Sequence, residues 1–313
     1  MMLALLLLAC SAAGAEQILW QDPGPVAAWD FGGTVSAGVP SPQPPYTFLQ
    51  EDLSGTQPKI FVRDRAGITW NVKFGSEAKV ESFCWRVVRA CGYFAEANFL
   101  VPEGELRGLQ PLQRGGPWVS ADGHFTNGRF QYRDPKLKFL SDRNWRWDGS
   151  PFEGTRELSG LKILVMLFSN WDNKDARVGG AGSGPNTAVF QEGGRYIYAF
   201  TDWGSGMGRW GGARATDQMN WRCSDFARQS AGFVHGIVHG HVQFGFQGDI
   251  HEGFDDNIPP EHVAWFMLYL GRISNAQLRA GLKASGATEA EATCFTQALR
   301  SRIEQLRRVR ESL

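Results

Sequence analysis

The strongest constraint in this chain of 313 residues is a change of hydrophobic pattern at Gly75-Ser76. Before it, residues 59–64 (KIFVRD) and 68–74 (ITWNVKF) have strand composition and are separated by a short Arg-Ala-Gly turn, which predicts a β-hairpin. After it, Glu81, Phe83, Trp85, Val87 and Val88 belong to a helical pattern, with Ser76 placed as N-cap, Glu77 in the first turn and Gly92 as the stop. A further strand is expected over 46–50, and another over 93–101. The first half therefore reads strand, strand, strand, helix, strand: one helix covering a small antiparallel sheet, in an α+β chain.

The second half is mostly helical. Residues 157–170 (ELSGLKILVMLFSN) are apolar nearly all round, which predicts a core helix. It runs into Trp171-Asp172-Asn173-Lys174, a glycine-rich stretch at 178–185, and two short strands at 187–190 and 196–200 around a Glu-Gly-Gly turn. Thr201-Asp202-Trp203-Gly204 follows. Helices are expected from Pro260, from Ser274 and over 288–310, the last with an arginine-rich face that reads as solvated surface. Residues 102–154 are loop-rich, and the lobe junction falls there, dividing 46–313 into a first lobe (46–115) and a second (116–313).

Composition narrows the function classes. The 32 Lys and Arg balance 32 Asp and Glu, against a chain whose main task is to coat nucleic acid or an acidic membrane. With 42% hydrophobic residues it can bury a substantial core. The apolar run at 1–15 is too short to span a bilayer and reads as an export signal. Within it Leu7-Leu8-Ala9-Cys10 resembles a bacterial lipobox, although no Lys or Arg precedes it. That resemblance implies lipidation at Cys10, an exported cell-envelope protein, and membrane contact only through this anchor. Residues 16–45 are a Gly/Pro-rich arm or linker. Beyond Cys10 four cysteines permit disulfides without fixing their pairing. Cys84 and Cys91 stand about 10 Å apart along one helix, too far to bridge each other, and are expected to be packing residues.

The order of elements, with Lys73, Glu81, Asp172, Lys174, Asn186 and Asp202, resembles a two-lobed protein-kinase-like fold. The resemblance implies that Lys73, on a strand, holds nucleotide phosphates and pairs with Glu81 on the next helix, with Glu77 in reserve. It implies a catalytic Asp172 with phosphate-facing Lys174, and Asn186 and Asp202 as ligands of Mg²⁺ or Mn²⁺. Phosphoryl transfer needs these types because charge on the phosphate oxygens is neutralised by Lys and by metals that take hard oxygen ligands. Where such kinases carry Asn five residues after the catalytic Asp this chain has Arg177, so residues 178–185 are read as an insertion and the Asn role passes to Asn186, which can equally be a plain turn residue. There is no His-Arg-Asp and no Ala-Pro-Glu, and Gly206-Met207-Gly208-Arg209-Trp210-Gly211 falls after the Asp-x-Gly. Gly55, within residues 53–57, is therefore the candidate phosphate cover. The match is closer to atypical groups such as secretory-pathway and spore-coat kinases or phosphoinositide-kinase relatives, and to uncharacterised exported bacterial proteins.

Two readings follow. One is a transferase using ATP or another nucleotide with Mg²⁺ or Mn²⁺ to phosphorylate an unknown hydroxyl acceptor. The alternative is a catalytically silent kinase-like lipoprotein that binds a partner, favoured by Arg177. His235, His239 and His241 suggest a metal site but lack an acidic partner at fixed spacing. Trp203, Trp210 and Trp221 can serve as a stacking platform or as loop packing.

Overall fold

The computed structural model describes residues 15–33, 38–55, 57–114, 116–178, 184–209 and 220–312. Cys10, Thr56, Trp210, most of the signal segment and most of the stretch read as an insertion lie outside them. The architecture is mixed α+β, and its first sheet is a closed barrel.

Strand β1 (Glu16–Ile18) pairs with a strand far along the chain, and the barrel begins at β2 (Tyr46–Asp52). β3 (Lys59–Arg63) and β4 (Thr69–Lys73) form the expected hairpin, in which Lys59 sits opposite Lys73. Helix α1 (Glu77–Ala90) follows directly. The turn into it is forced by Gly75 at φ +120, a backbone conformation closed to most side chains. Ser76 occupies the N-cap position, but its hydroxyl caps nothing: its backbone is already helical, so the side chain cannot reach the orphan N–H groups.

β5 (Asn98–Arg107) begins later than the sequence suggests and pairs antiparallel with β6 (His124–Tyr132). β6 also pairs with β4, and β5 runs parallel to β2, closing the order β2-β3-β4-β6-β5. The expected small open sheet is thus a barrel, and its last strand lies beyond residue 115. Trp70, Val72, Phe125 and Phe130 are among the side chains buried here. Pairing of β2 with β5 closes the order and leaves no free edge on these five strands.

α2 (Arg156–Leu167) is the expected core helix, capped by Thr155, whose Oγ1 accepts from the Leu158 N–H at 3.2 Å. A second sheet carries β7 (Lys138–Phe139), β8 (Thr187–Glu192) and β9 (Arg195–Phe200) in the order β1-β9-β8-β7. The Gly/Pro-rich arm is laid on the domain rather than hanging from it: β1 is parallel to β9, and Leu19, Val26 and Phe31 are buried. Gln277 Nε2 donates to the carbonyls of Val26 and Trp29, both at 2.9 Å.

Four more helices complete the chain: α3 (Cys223–Ser230), α4 (Pro260–Leu270), α5 (Asn275–Ala284) and α6 (Glu289–Glu311). α5 and α6 open with reciprocal capping boxes, Ser274 with Gln277 and Thr288 with Glu291. α6 buries Phe295, Leu299, Ile303 and Leu306 on its apolar face, and Arg308 and Arg310 are exposed as the solvated-surface reading expects, but Arg302 is buried. Cys223 and Cys294 form a disulfide joining α3 to α6, while Cys84 and Cys91 are buried and unbridged, as packing residues should be.

β10 (Val234–Val238) and β11 (His241–Phe244) form a hairpin that puts His239 in its turn. Among the described residues, the groups of metal-ligating side chains that lie close together do not include these histidines. Trp203 is buried on Phe168 and Phe200, and Trp221 packs on Phe295 with its Nε1 donating to Glu291 at 3.1 Å; both are packing residues.

Candidate active site

Three elements aim charged side chains at one point. β4 ends on Lys73, and α1 starts four residues later, so its first two turns present Glu77 and Glu81 on the same face toward that lysine. Lys73 Nζ lies 2.7 Å from Glu77 Oε2 and 2.5 Å from Glu81 Oε1. Both glutamates therefore take up the lysine. On the neighbouring strand β6, Arg129 sits opposite Lys73 and its Nε is 2.9 Å from the other oxygen of Glu81. The third element is the turn after β9, where Asp202 Oδ1 stands 3.9 Å from Lys73 Nζ.

Gly204 shows why an Asp-x-Gly is needed there. A Cβ on it would come within 2.8 Å of the Glu77 Cβ and 2.9 Å of Glu77 Oε2 and Glu81 Oε1. Only a residue without a side chain lets the Asp202 turn approach α1 so closely. The turn is further fixed by Asn170, whose Nδ2 donates to the Asp202 carbonyl at 2.8 Å, and by the Gly204 N–H on Asp202 Oδ1 at 3.1 Å.

Asp172 and Lys174 follow α2 in an irregular loop and pair with each other, Lys174 Nζ being 2.8 Å from Asp172 Oδ1. Asn186, just before β8, donates through Nδ2 to the Asp172 carbonyl at 2.6 Å, while its N–H bonds the Lys174 carbonyl at 2.9 Å. A cavity of about 250 Å³ is lined by Gly55, Lys59, Lys73, Asp172, Lys174, Asn186 and Asp202, with Gln57 and Glu77 also on its wall. The structure thus gathers the sequence-nominated residues at one place, with Glu81 directly behind Lys73. Arg177 points elsewhere: it forks onto Asp175 at 2.8–3.1 Å and donates to the Glu252 carbonyl at 2.9 Å, leaving the cavity wall to Asn186.

Electrostatics follow from this crowding. Burial pushes the Lys73 ammonium toward deprotonation, but Asp202, Glu77 and Glu81 outweigh it and hold its pKa above the ordinary lysine value. Burial likewise works to raise Asp202, and is overcome mainly by Lys73 and by the Gly204 N–H, so that carboxyl is held below its usual range. Glu77 goes the other way, because burial exceeds the pull of Lys73 and the neighbouring carboxylates add to it. Lys59 is pushed down by burial, with Lys73 and Arg129 adding repulsion against the attraction of Asp52.

A divalent cation fits the donor chemistry here. Asp202 and Asn186 supply hard oxygens, and Glu77, Glu81 and Asp202 place one carboxylate oxygen each within 4.8 Å of one another. Lys73 already sits among those three carboxylates, whereas Asp202 and Asn186 line the cavity together and could hold a metal without displacing the lysine.

Sequence reasoning missed three contributors. Lys59 lines the cavity because the hairpin register sets it opposite Lys73, information available only once the register is known. Trp147 is fully buried, and its Nε1 donates to the Asn173 carbonyl at 2.8 Å, shaping the loop that carries Asp172. Asn173 is buried as well: Nδ2 donates to the Ile250 carbonyl and Oδ1 accepts from the Ile250 N–H, both at 2.8 Å. A single polar letter in a polar loop carries no sign of such a clamp.

No family model matches the chain, and no curated protein matches it. Among solved structures it is similar to the Golgi casein kinase, at 11% identity over 87% of this chain and 75% of that one, with a TM-score of 0.39. The Golgi casein kinase with Mn/ADP bound matches at 11% identity, 87% and 74% coverage, and a TM-score of 0.38. A likeness this loose carries no weight for activity, and the functional conclusion rests on the site.

Proposed function

We propose that this chain is a nucleotide- and metal-dependent transferase of kinase-like type that moves a phosphoryl group to a hydroxyl acceptor. The observation that carries the reading is the convergence of Lys73, Asp172, Lys174, Asn186 and Asp202 on one cavity, with Lys73 kept cationic by Asp202 and the α1 glutamates. In this reading Lys73 binds nucleotide phosphates, helped by Lys59, while Gly55 and the turn around it cover them. Mg²⁺ or Mn²⁺ on Asn186 and Asp202 supplies charge neutralisation of the phosphates. Asp172 accepts the acceptor hydroxyl's proton as its oxygen bonds the transferred phosphorus and the bond to the leaving nucleotide oxygen breaks. Lys174, ion-paired to Asp172, orients that carboxylate and lies toward the same phosphates.

The silent-binder alternative drew on Arg177, which the Asp175 fork takes out of the cavity, so no observation favours it. Residence in an oxidising compartment outside the cytoplasm is supported by the Cys223–Cys294 disulfide. Among the described residues no helix is long and apolar enough to cross a membrane. Lipidation at Cys10 remains part of the proposal.

The test is thermal unfolding with ATP and Mn²⁺, comparing the parent with Asp202→Ala. The parent is expected to be stabilised, by about 2.7 kcal/mol at a hundredfold excess over Kd, and the variant to lose that shift. Absence of a shift in the parent at millimolar nucleotide overturns the reading.

A further inference from the structure

Strands β3, β4 and β6 set three cations in one row. Lys59 sits opposite Lys73 and Lys73 opposite Arg129, so the three side chains leave the sheet on one face, neighbouring Cβ atoms being about 5 Å apart. Like charges placed directly opposite one another weaken a strand pair, and each cation of this row is met by a carboxylate. Lys59 has Asp52 at 3.7 Å, while Lys73 has Glu77, Glu81 and Asp202. Arg129 has Glu81, whose Oε2 is 2.9 Å from its Nε, and among the described residues no second acid pairs with it.

Glu81 is therefore shared between two cations. Its Oε1 accepts from Lys73 Nζ at 2.5 Å while its Oε2 faces Arg129, and the two residues of this second pair are 4% and 3% exposed. A carboxylate with a cation on each oxygen cannot turn about its last torsion without breaking one pair; held at Oε1 alone, it can. Lys73 also donates to Glu77 at 2.7 Å, so a loosened Glu81 lets the ammonium pass over to that neighbour. Neither Arg129 nor Glu81 lines the cavity, so the effect of Arg129 on a ligand there runs through Lys73. A buried guanidinium against one carboxylate is a weak source of stability, because desolvation offsets most of the attraction, and closing the barrel does not require it.

Resting on the transferase reading, we propose that Arg129 is a positioning residue for that reaction: it fixes the Glu81 carboxylate from behind, and Glu81 in turn sets the Lys73 ammonium at the place where it meets the nucleotide phosphates. Arg129 itself touches no ligand. Its contact is made through Nε, one bond short of the point a lysine ammonium reaches, so Arg129→Lys can restore the pair whereas Arg129→Met cannot.

The experiment uses the full chain with Arg129→Met and Arg129→Lys, and Arg129→Gln takes the place of Arg129→Met if that variant does not fold. Scalar couplings across the hydrogen bonds from the Lys73 ammonium nitrogen to the glutamate carboxyl carbons report its partners without any ligand. Couplings to both Glu77 and Glu81 are expected in the parent and in Arg129→Lys, and to Glu77 alone in Arg129→Met. In calorimetric titration with Mn²⁺-ATP, Arg129→Met should bind about 10-fold more weakly than the parent, and Arg129→Lys should recover most of the loss. An intact Glu81 coupling in Arg129→Met overturns the proposal even if affinity falls, since Arg129 would then act by charge alone; parental affinity in that variant overturns it as well. If the parent binds no Mn²⁺-ATP, the transferase reading falls, and the couplings alone then decide whether Arg129 sets the Lys73–Glu81 pair.

Discussion

Two of the buried cations, Lys73 and Arg302, are held by opposite means. Lys73, on the barrel side, sits among the carboxylates of Glu77, Glu81 and Asp202. Arg302, on α6, donates to the Ser230 hydroxyl at 2.7 Å, the Leu167 carbonyl at 2.9 Å and the Ser169 hydroxyl at 2.8 Å, and lies over the Phe226 ring at 3.8 Å. Burial pushes both toward the neutral form. At Lys73 the carboxylates reverse that push; at Arg302 burial wins and the guanidinium falls well below its ordinary value. At Lys73 carboxylates hold the cation, whereas at α6 hydrogen bonds and an aromatic ring hold it and fasten the end of α2 just ahead of the loop that carries Asp172.

The sharpest way to break this contrast is Lys73→Met. Removing the ammonium leaves three carboxylates crowded together, which should cost about 3–5 kcal/mol in denaturant unfolding near neutral pH and abolish nucleotide binding. The pH dependence has a definite sign. Without Lys73 the cluster carboxyls titrate higher in the folded than in the unfolded chain, so their contribution is present at low pH and lost as pH rises through the folded values. In the parent, Asp202 is held low and its contribution is lost as pH falls through its folded value. Both effects shrink the gap between parent and variant on going from pH 8 to pH 4; a gap that widens on acidification would contradict the account.

Arg302→Ala comes next, at about 3 kcal/mol, from orphaned carbonyls and a cavity. Its penalty should show none of the narrowing expected for Lys73→Met, and residual folded protein should keep its nucleotide affinity. Reducing the Cys223–Cys294 bridge, which closes a loop of 71 residues onto α6, should lower stability by about 2–4 kcal/mol while leaving the Lys73 cluster intact. The smallest effects separate the helices that serve the two cations. Thr155→Ala, which uncaps α2, should cost about 1 kcal/mol. Ser76→Ala at the start of α1 should change stability by less than about 0.5 kcal/mol, because that hydroxyl caps nothing.

How legible these regions were in the sequence follows the same division. The hairpin and α1 could be read because each depends on local period and near-neighbour spacing, whereas the ordered set from Lys73 to Gly204 is reached only through the resemblance to a kinase-like order of elements. The barrel could not: it closes through the parallel pairing of β2 with β5, and nothing in residues 46–50 specifies a partner some sixty positions away. Arg302 could not be told from exposed Arg308 and Arg310, because an arginine on a charged helix looks the same whether its neighbour is water or buried carbonyls and hydroxyls. The clamp made by Asn173 was invisible for a related reason, since it lies in contacts with Ile250 across more than seventy residues.

The turn that carries Gly55 has a consequence for how a ligand is received. Arg114 donates to the carbonyls of Asp52 and Gly55, both at 2.7 Å, and Glu51 accepts the N–H groups of Gln113 and Arg114 at 2.8 Å. The Ser54 N–H is taken by Asp52 Oδ1 at 2.9 Å, and Lys59 Nζ reaches the Ser54 hydroxyl at 3.0 Å. Most of the ordering entropy of this turn is therefore spent during folding, before any ligand arrives. On the transferase proposal a phosphate entering the cavity would meet a preformed rim, and weakening the Arg114 tie should raise Kd through lost preorganisation with no contact to the ligand removed.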